Sequence, residues 1–189
     1  MTESYLRVHL GWYNRMHQNY KEAEEQLQAA VLLNHDNYGA LVELARCYSE
    51  QDQCGAALPL LHRAVLLNTD SVLAMMELAK CYEALGRSEV AKDLYWKVFL
   101  KDSQLFKLDG TIGQWLMEHG FYREAEIVLN KTIKKYPDDF FFYELLAQLY
   151  NLMGEDEKAR RISQQGDTVR DDQEKYMPET VDNYREIAS

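Results

Sequence analysis

Proline and glycine are scarce in this chain, three and nine of 189 residues, too few for the dense turns of an all-β fold. Basic charge is also short. Only 21 Lys and Arg stand against 31 Asp and Glu, a net charge of -10, and a surface of that sign repels a phosphate backbone and an anionic bilayer. Nucleic acid and membrane are therefore not expected as partners. No apolar run approaches the roughly 20 residues that cross a bilayer, and no charged segment leading into an apolar stretch reads as a secretion signal. Cys47, Cys54 and Cys81 are odd in number and lack metal-type spacing, which argues against a disulfide framework and for a reducing compartment, cytoplasmic or nuclear. What remains abundant is Leu, Ala, Glu and Tyr within a 47% hydrophobic composition, the inventory of an all-α protein.

Periodicity decides how those helices are organised. Ala23, Ala57, Ala91, Ala125 and Ala159 are each 34 residues apart, with no insertion or deletion. Thirteen residues before each stands a large apolar residue, Leu10, Leu44, Leu78, Ile112 or Leu146, followed at once by a small one, Gly11, Ala45, Ala79, Gly113 or Ala147. Three residues further on come Asn14, Tyr48, Tyr82, Leu116 and Tyr150, and four after the alanine come Leu27, Leu61, Tyr95, Leu129 and Ser163. The small column lets two helices approach while the large residues fill the groove between them. Gly86, Gly120 and Gly154 fall where a first helix must end, and Asp70 and Asp139 are expected to cap the helices that follow.

This pattern resembles the tetratricopeptide repeat (TPR) family over nearly the whole chain. The resemblance implies a right-handed superhelical α-solenoid of about five helix-turn-helix units, at 4–37, 38–71, 72–105, 106–139 and 140–170, with an acidic capping helix or tail over 171–189. Departures from the family pattern are His35, Thr69 and Ser103 in place of the turn proline, kept only as Pro137, and Ser163 and Gly166 in the last second helix.

No nucleophile-base pair, ligand cluster or phosphate-cradling loop stands out, so no catalytic residue, metal or cofactor is expected and the chain does not read as an enzyme. His9, His17, His35, His62 and His119 are scattered through different units. Cys47 and Cys81 share a repeat column and read as small buried hydrophobes, whereas Cys54, at the start of a second helix, is expected to be more exposed. Tyr48, Tyr82 and Tyr150 likewise share a column, which assigns them to the core before any stacking role.

In TPR proteins the first helices line the inner side of the superhelix. The resemblance places Tyr5, Val8, His9 and Trp12 there in the first unit, Val42, Glu43, Arg46 and Glu50 in the second, and Met76, Glu77, Lys80 and Glu83 in the third. Lys107, Thr111, Gln114 and Met117 follow in the fourth, and Phe141, Glu144, Gln148 and Asn151 in the fifth. Such a groove takes a peptide or a helix. Acidic residues outnumber basic ones in its middle, so a partner segment carrying Lys or Arg is expected; the other reading is a solvated face of local ion pairs. The Lys, Asn and Arg clamp by which TPR co-chaperones grip acidic tails is missing, since Val8, Trp12, Glu43, Leu73 and Glu77 stand at its positions. Gly110, on the groove side, is either a notch for a ligand backbone or a glycine held helical by its neighbours.

Tyr5, Trp12 and Tyr13 lie on the first helix with no unit before them, which leaves a homodimer contact, a partner subunit or further repeats as their cover. At the other end Pro178 can open a short helix bearing Val181, Tyr184 and Ile187. The expected function is a protein-interaction adaptor or assembly subunit that binds a partner segment in the groove. The alternative is a secretion-type chaperone holding an aggregation-prone client.

Overall fold

The structure, a computed structural model, describes residues 3–101 and 108–176, with side chains up to residue 173. Lys107, the turn residue Ser103 and the segment containing Pro178, Val181, Tyr184 and Ile187 lie outside the described residues. All regular structure among the described residues is helical.

Two compact units divide the chain, residues 1–103 and 104–189. The first holds α1 (Glu3–Met16), α2 (Tyr20–Leu33), α3 (Tyr38–Ser49), α4 (Cys54–Leu67), α5 (Val72–Ala84) and α6 (Ser88–Leu100). The second holds α7 (Leu108–Glu118), α8 (Tyr122–Lys135), α9 (Phe140–Leu152) and α10 (Asp156–Tyr176). Helices pack in consecutive pairs, α1 on α2 through α9 on α10, and inside each unit the second helix of a pair also packs on the first helix of the next. That is how a hairpin too small to bury its own apolar face builds a continuous core.

The turn inside each pair repeats to the residue. Gly86, Gly120 and Gly154 take φ of 71°, 78° and 73° as the sequence leads one to expect, and the same column holds Gln18 (61°) and Asp52 (60°) in the first two pairs. The amide after each closes the turn on a carbonyl five residues back: Asn19 on Asn14, Gln53 on Tyr48, Arg87 on Tyr82, Phe121 on Leu116 and Glu155 on Tyr150. These bonds satisfy carbonyls that the helix end leaves open. Between pairs, Asn37, Ser71 and Asp139 cap the next helix by accepting amide hydrogens from Ala40, Ala74 and Phe141. Asp70 is not the cap expected of it. Ser71 occupies the column of Asn37 and Asp139, one residue later, and Asp70 instead pairs with Lys101 at 2.5 Å.

The alanine column forms the axis of the core: Ala23, Ala57, Ala91 and Ala125 are fully buried and Ala159 nearly so. Leu27, Leu61, Ile112, Leu129 and Leu146 are completely enclosed beside it, each contributing about 2 kcal/mol by burial. Small residues have a measurable purpose here. A Cβ on Gly11 would sit 2.4 Å from Leu27 Cγ, and one on Gly113 would sit 2.8 Å from Leu129 Cδ2, so these glycines set the closest approach within their hairpins. Gly166 does the same in the last pair, 2.9 Å from the Cβ of Tyr143, and α10 runs unbroken through it and past residue 170.

Candidate peptide-binding face

The first helices α1, α3 and α5 lie side by side in residues 1–103, α3 touching both of the others. Their shared face contains an open cavity of about 600 Å³ lined by Tyr5, Val8, His9 and Trp12 of α1, by Asn37 through Gly39, Val42 and Glu43 around α3, and by Leu73 of α5. Helical spacing explains the α1 contribution, because positions 5, 8, 9 and 12 fall on one side of a 3.6-residue helix. Val42 is buried and packs with Leu41, Ala64 and Ala74, so the cavity floor is part of the hydrophobic core. Val8, half-buried, and Leu73, exposed, form its walls.

Beside the cavity runs a ladder of ion pairs across all three helices. Arg15 donates from Nε to Glu43 at 3.0 Å and from Nη1 to Glu50. Arg46 donates to Glu43 at 3.3 Å and to Glu77 at 3.2 Å, and Lys80 closes the ladder on Glu77 at 3.3 Å. Arg15 is only 5% exposed and Glu77 only 8% at its side chain, so these charges have left water and need one another. Burial lowers the pKa of Arg46, but Glu77 and Glu43 outweigh it and the net shift is upward. Three carboxylates thus meet three cations, Glu43, Glu50 and Glu77 against Arg15, Arg46 and Lys80, and the acidic excess expected of this face is reduced to Glu83, which accepts from the Tyr95 hydroxyl. The missing element was Arg15. One turn beyond the residues assigned to the groove, it reaches over to the next first helix.

With this geometry in view, residues 42–95 match the tetratricopeptide repeat family. That stretch runs from α3 into α6 and is similar to a tetratricopeptide repeat. Among solved structures, MamA superposes with a TM-score of 0.77 at 17% identity, covering 95% of this chain and 98% of its own. A structure of nearly identical TPR-like repeats from Podosopora anserina superposes at 0.72 and 18% identity, covering 94% of this chain and 99% of its own. At such identities the likeness establishes the all-α helical-repeat fold. No curated protein matches the chain.

The residues assigned to the groove divide by unit. Tyr5, Val8, His9, Trp12, Val42 and Glu43 meet at the cavity, and Arg46, Glu50, Glu77 and Lys80 form the ladder. Met76 is buried, and Glu83 accepts a hydrogen bond from Tyr95 at 3.2 Å. In residues 104–189, Thr111, Gln114, Phe141, Glu144, Gln148 and Asn151 are exposed, while Met117 is buried. Gly110 is no notch. A Cβ there would lie 2.8 Å from Phe142 Cε1, so the glycine is held under an aromatic ring of α9, the second of the two readings.

Other sequence assignments fall out of the same register. Cys47 and Cys81 are fully buried, and burial foremost pushes both thiols up to about 11. Cys54 departs from expectation: it is buried too, because the alanine-lined start of α4 packs on α5 with Leu78 and Cys81. Tyr48 and Tyr82 are half-buried with their hydroxyls bonded to Gln28 and His62 of the preceding second helix, and buried Tyr150 donates to Glu126 in the same way. His17, His35 and His119 each bond through Nδ1 to the carbonyl four residues back, which accounts for them as helix-end ligands.

Proposed function

We propose that this chain is an adaptor or assembly subunit that performs no chemistry and holds a peptide or helical segment of a protein partner against the first-helix face of TPRs 1–3. The observation that carries the reading is the cavity built by three successive first helices, whose floor is core and whose walls are aromatic and aliphatic. A concave apolar site with a few polar groups is what an anchoring side chain needs. Net charge of -10 argues against nucleic acid. No helix among the described residues is long and apolar enough to cross a membrane. Three free, buried thiols fit the reducing cytoplasm.

Affinity capture from native extract tests it, using the intact chain, a Trp12→Ala, Leu73→Ala variant and a control altered at the exposed Leu66 on α4. Loss of the retained partner from the first variant and retention by the second is the expected outcome. Loss from the Leu66→Ala control alone would move the interface to the second helices. The chaperone alternative rests on the same apolar walls. A chaperone suppresses client aggregation and then releases its client, whereas an adaptor stays in a complex of fixed stoichiometry.

A further inference from the structure

The polar groups around the cavity fall into two sets. Those of α3 and its cap are already engaged inside the protein: Asn37 donates to Ser4 Oγ at 2.8 Å and accepts from Ala40 N, Tyr38 shares a hydrogen bond with Ser71, and Glu43 holds both Arg15 and Arg46. Those of α1 are not. The Tyr5 hydroxyl, the His9 ring nitrogens and Trp12 Nε1 have no hydrogen-bond partner among the described residues, and they lie at i, i+4 and i+7 along one edge of the cavity. Tyr5 and His9 are fixed against each other, rings edge to face with centroids 4.3 Å apart.

From this division we infer, resting on the reading of the face as a peptide site, that the occupant is an extended peptide segment that inserts a large uncharged apolar side chain and turns its backbone carbonyls to α1. Charge supports this choice. A basic anchor would enter a site whose one carboxylate already has two cationic partners, and it would lose its own hydration without gaining an unmatched charge. An acidic anchor fares no better, since Arg15 and Arg46 are spent on Glu43, Glu50 and Glu77. An apolar side chain meets Val8, Val42, Leu73 and the ring faces of Tyr5 and Trp12 instead. Indole and imidazole N–H groups and the phenol offer donors along one line, and the carbonyls of an extended strand recur along a line in the same manner. Unengaged donors on α1 and engaged acceptors on α3 therefore assign the anchor to the cavity and the peptide backbone to the α1 edge.

Selection of random dodecapeptides displayed on phage against the intact chain supplies the probe. Enriched peptides are then synthesised with a fluorophore and titrated by anisotropy. Expected is a shared Leu, Met, Phe or Trp with no excess of Lys, Arg, Asp or Glu. Affinity should change less than about threefold between roughly 50 and 500 mM salt, where exposed charge pairs are progressively screened, and drop at least about tenfold when the anchor is replaced by Lys. Two variants report the place of binding. Leu73→Asp alters an exposed wall residue without touching the core, and Val8→Trp fills the cavity; both should weaken the peptide at least about tenfold.

Basic or acidic peptides whose binding is lost in Leu73→Asp and Val8→Trp and falls steeply with salt would overturn the apolar anchor while leaving the face as the binding site. Peptides bound equally well by both variants, or no enrichment at all, would overturn the face itself and the anchor with it.

Discussion

In residues 1–103 the first helices are joined by charge, from Arg15 through Glu43 and Arg46 to Glu77 and Lys80. In residues 104–189 the matching columns hold exposed Thr111, Gln114 and Gln148 and buried Met117 and Leu145, and α7 and α9 are joined by the fit of Gly110 beneath Phe142. Aromatic contacts accompany it, Trp115 over His119 at 4.1 Å and Tyr136 over Phe142 at 6.0 Å, and an ion pair from Lys135 to Asp109 at 3.8 Å ties α8 to α7. One repeat geometry is thus compatible with two ways of fixing the first-helix face. Each leaves a different surface. The ladder pairs the charges beside an apolar cavity, whereas in the second unit Thr111, Gln114, Glu144 and Gln148 face outward.

The largest break in that contrast is expected at Arg15. Its column holds Met117 in the second unit, buried like Arg15, so Arg15→Met imposes the second unit's solution on the first. Alone it takes one of two cationic partners from Glu43 and the Arg15 pairing from the partly exposed Glu50, and should destabilise the chain by about 2 kcal/mol. Adding Glu43→Leu should recover more than half of that, because removing both members of a buried pair is far less costly than removing one. Urea unfolding measures both. A single substitution that leaves the midpoint unchanged would mean that water, and not Arg15, is what Glu43 and Glu50 rely on.

Most of the fold is legible in the chain because a helical repeat writes its packing into fixed columns. The alanine axis, the Gly11 and Gly113 contacts and the turn glycines follow from the 34-residue register. Gln18 and Asp52 escape that logic, since their left-handed φ is imposed by the turn and not signalled by the residue. The groove was harder to read. Charge counted along a sequence gives an acidic middle, but Arg15 sits one turn outside the counted positions and pairs 28 and 35 residues away. Leu6, Leu10 and Tyr13 make the complementary point. Their columns are buried in α3 as Ala40, Leu44 and Cys47, yet these three are about half exposed, because burial in a solenoid belongs to the neighbour as much as to the residue.

The two glycine contacts sharpen the comparison at smaller scale. Gly11→Ala and Gly113→Ala each gain about 1 kcal/mol of helix propensity. The clash differs. In the first unit the new Cβ meets the branch atom of Leu27, which cannot move without the whole side chain, and in the second it meets a terminal methyl of Leu129. Gly11→Ala should therefore be destabilising by about 1 kcal/mol net and Gly113→Ala neutral within about 0.5 kcal/mol. Equal thermal unfolding shifts in the two variants would refute this difference in local slack.

Counted per thiol, a comparably small effect separates the units by pH. Every cysteine lies in residues 1–103, and burial first, with Glu24 and Glu50 adding to it at Cys47, raises the Cys47 and Cys81 thiols to about 11. In the unfolded chain a thiol releases its proton near pH 8.5. A folded pKa above the unfolded one means that the stabilisation is complete below about pH 8.5 and is lost as pH rises toward 11, since only the unfolded chain is ionising in that window. By pH 9 each thiol should cost about 0.8 kcal/mol. Unfolding midpoints between pH 7 and 9 should fall for the intact chain and flatten in a Cys47→Ala, Cys81→Ala variant. An equally steep fall in that variant would transfer the effect to other groups. Tyr95, whose pKa is also raised by burial and by the nearby Glu83, would be the first to examine, although a tyrosine in the unfolded chain does not begin to ionise until pH approaches about 10.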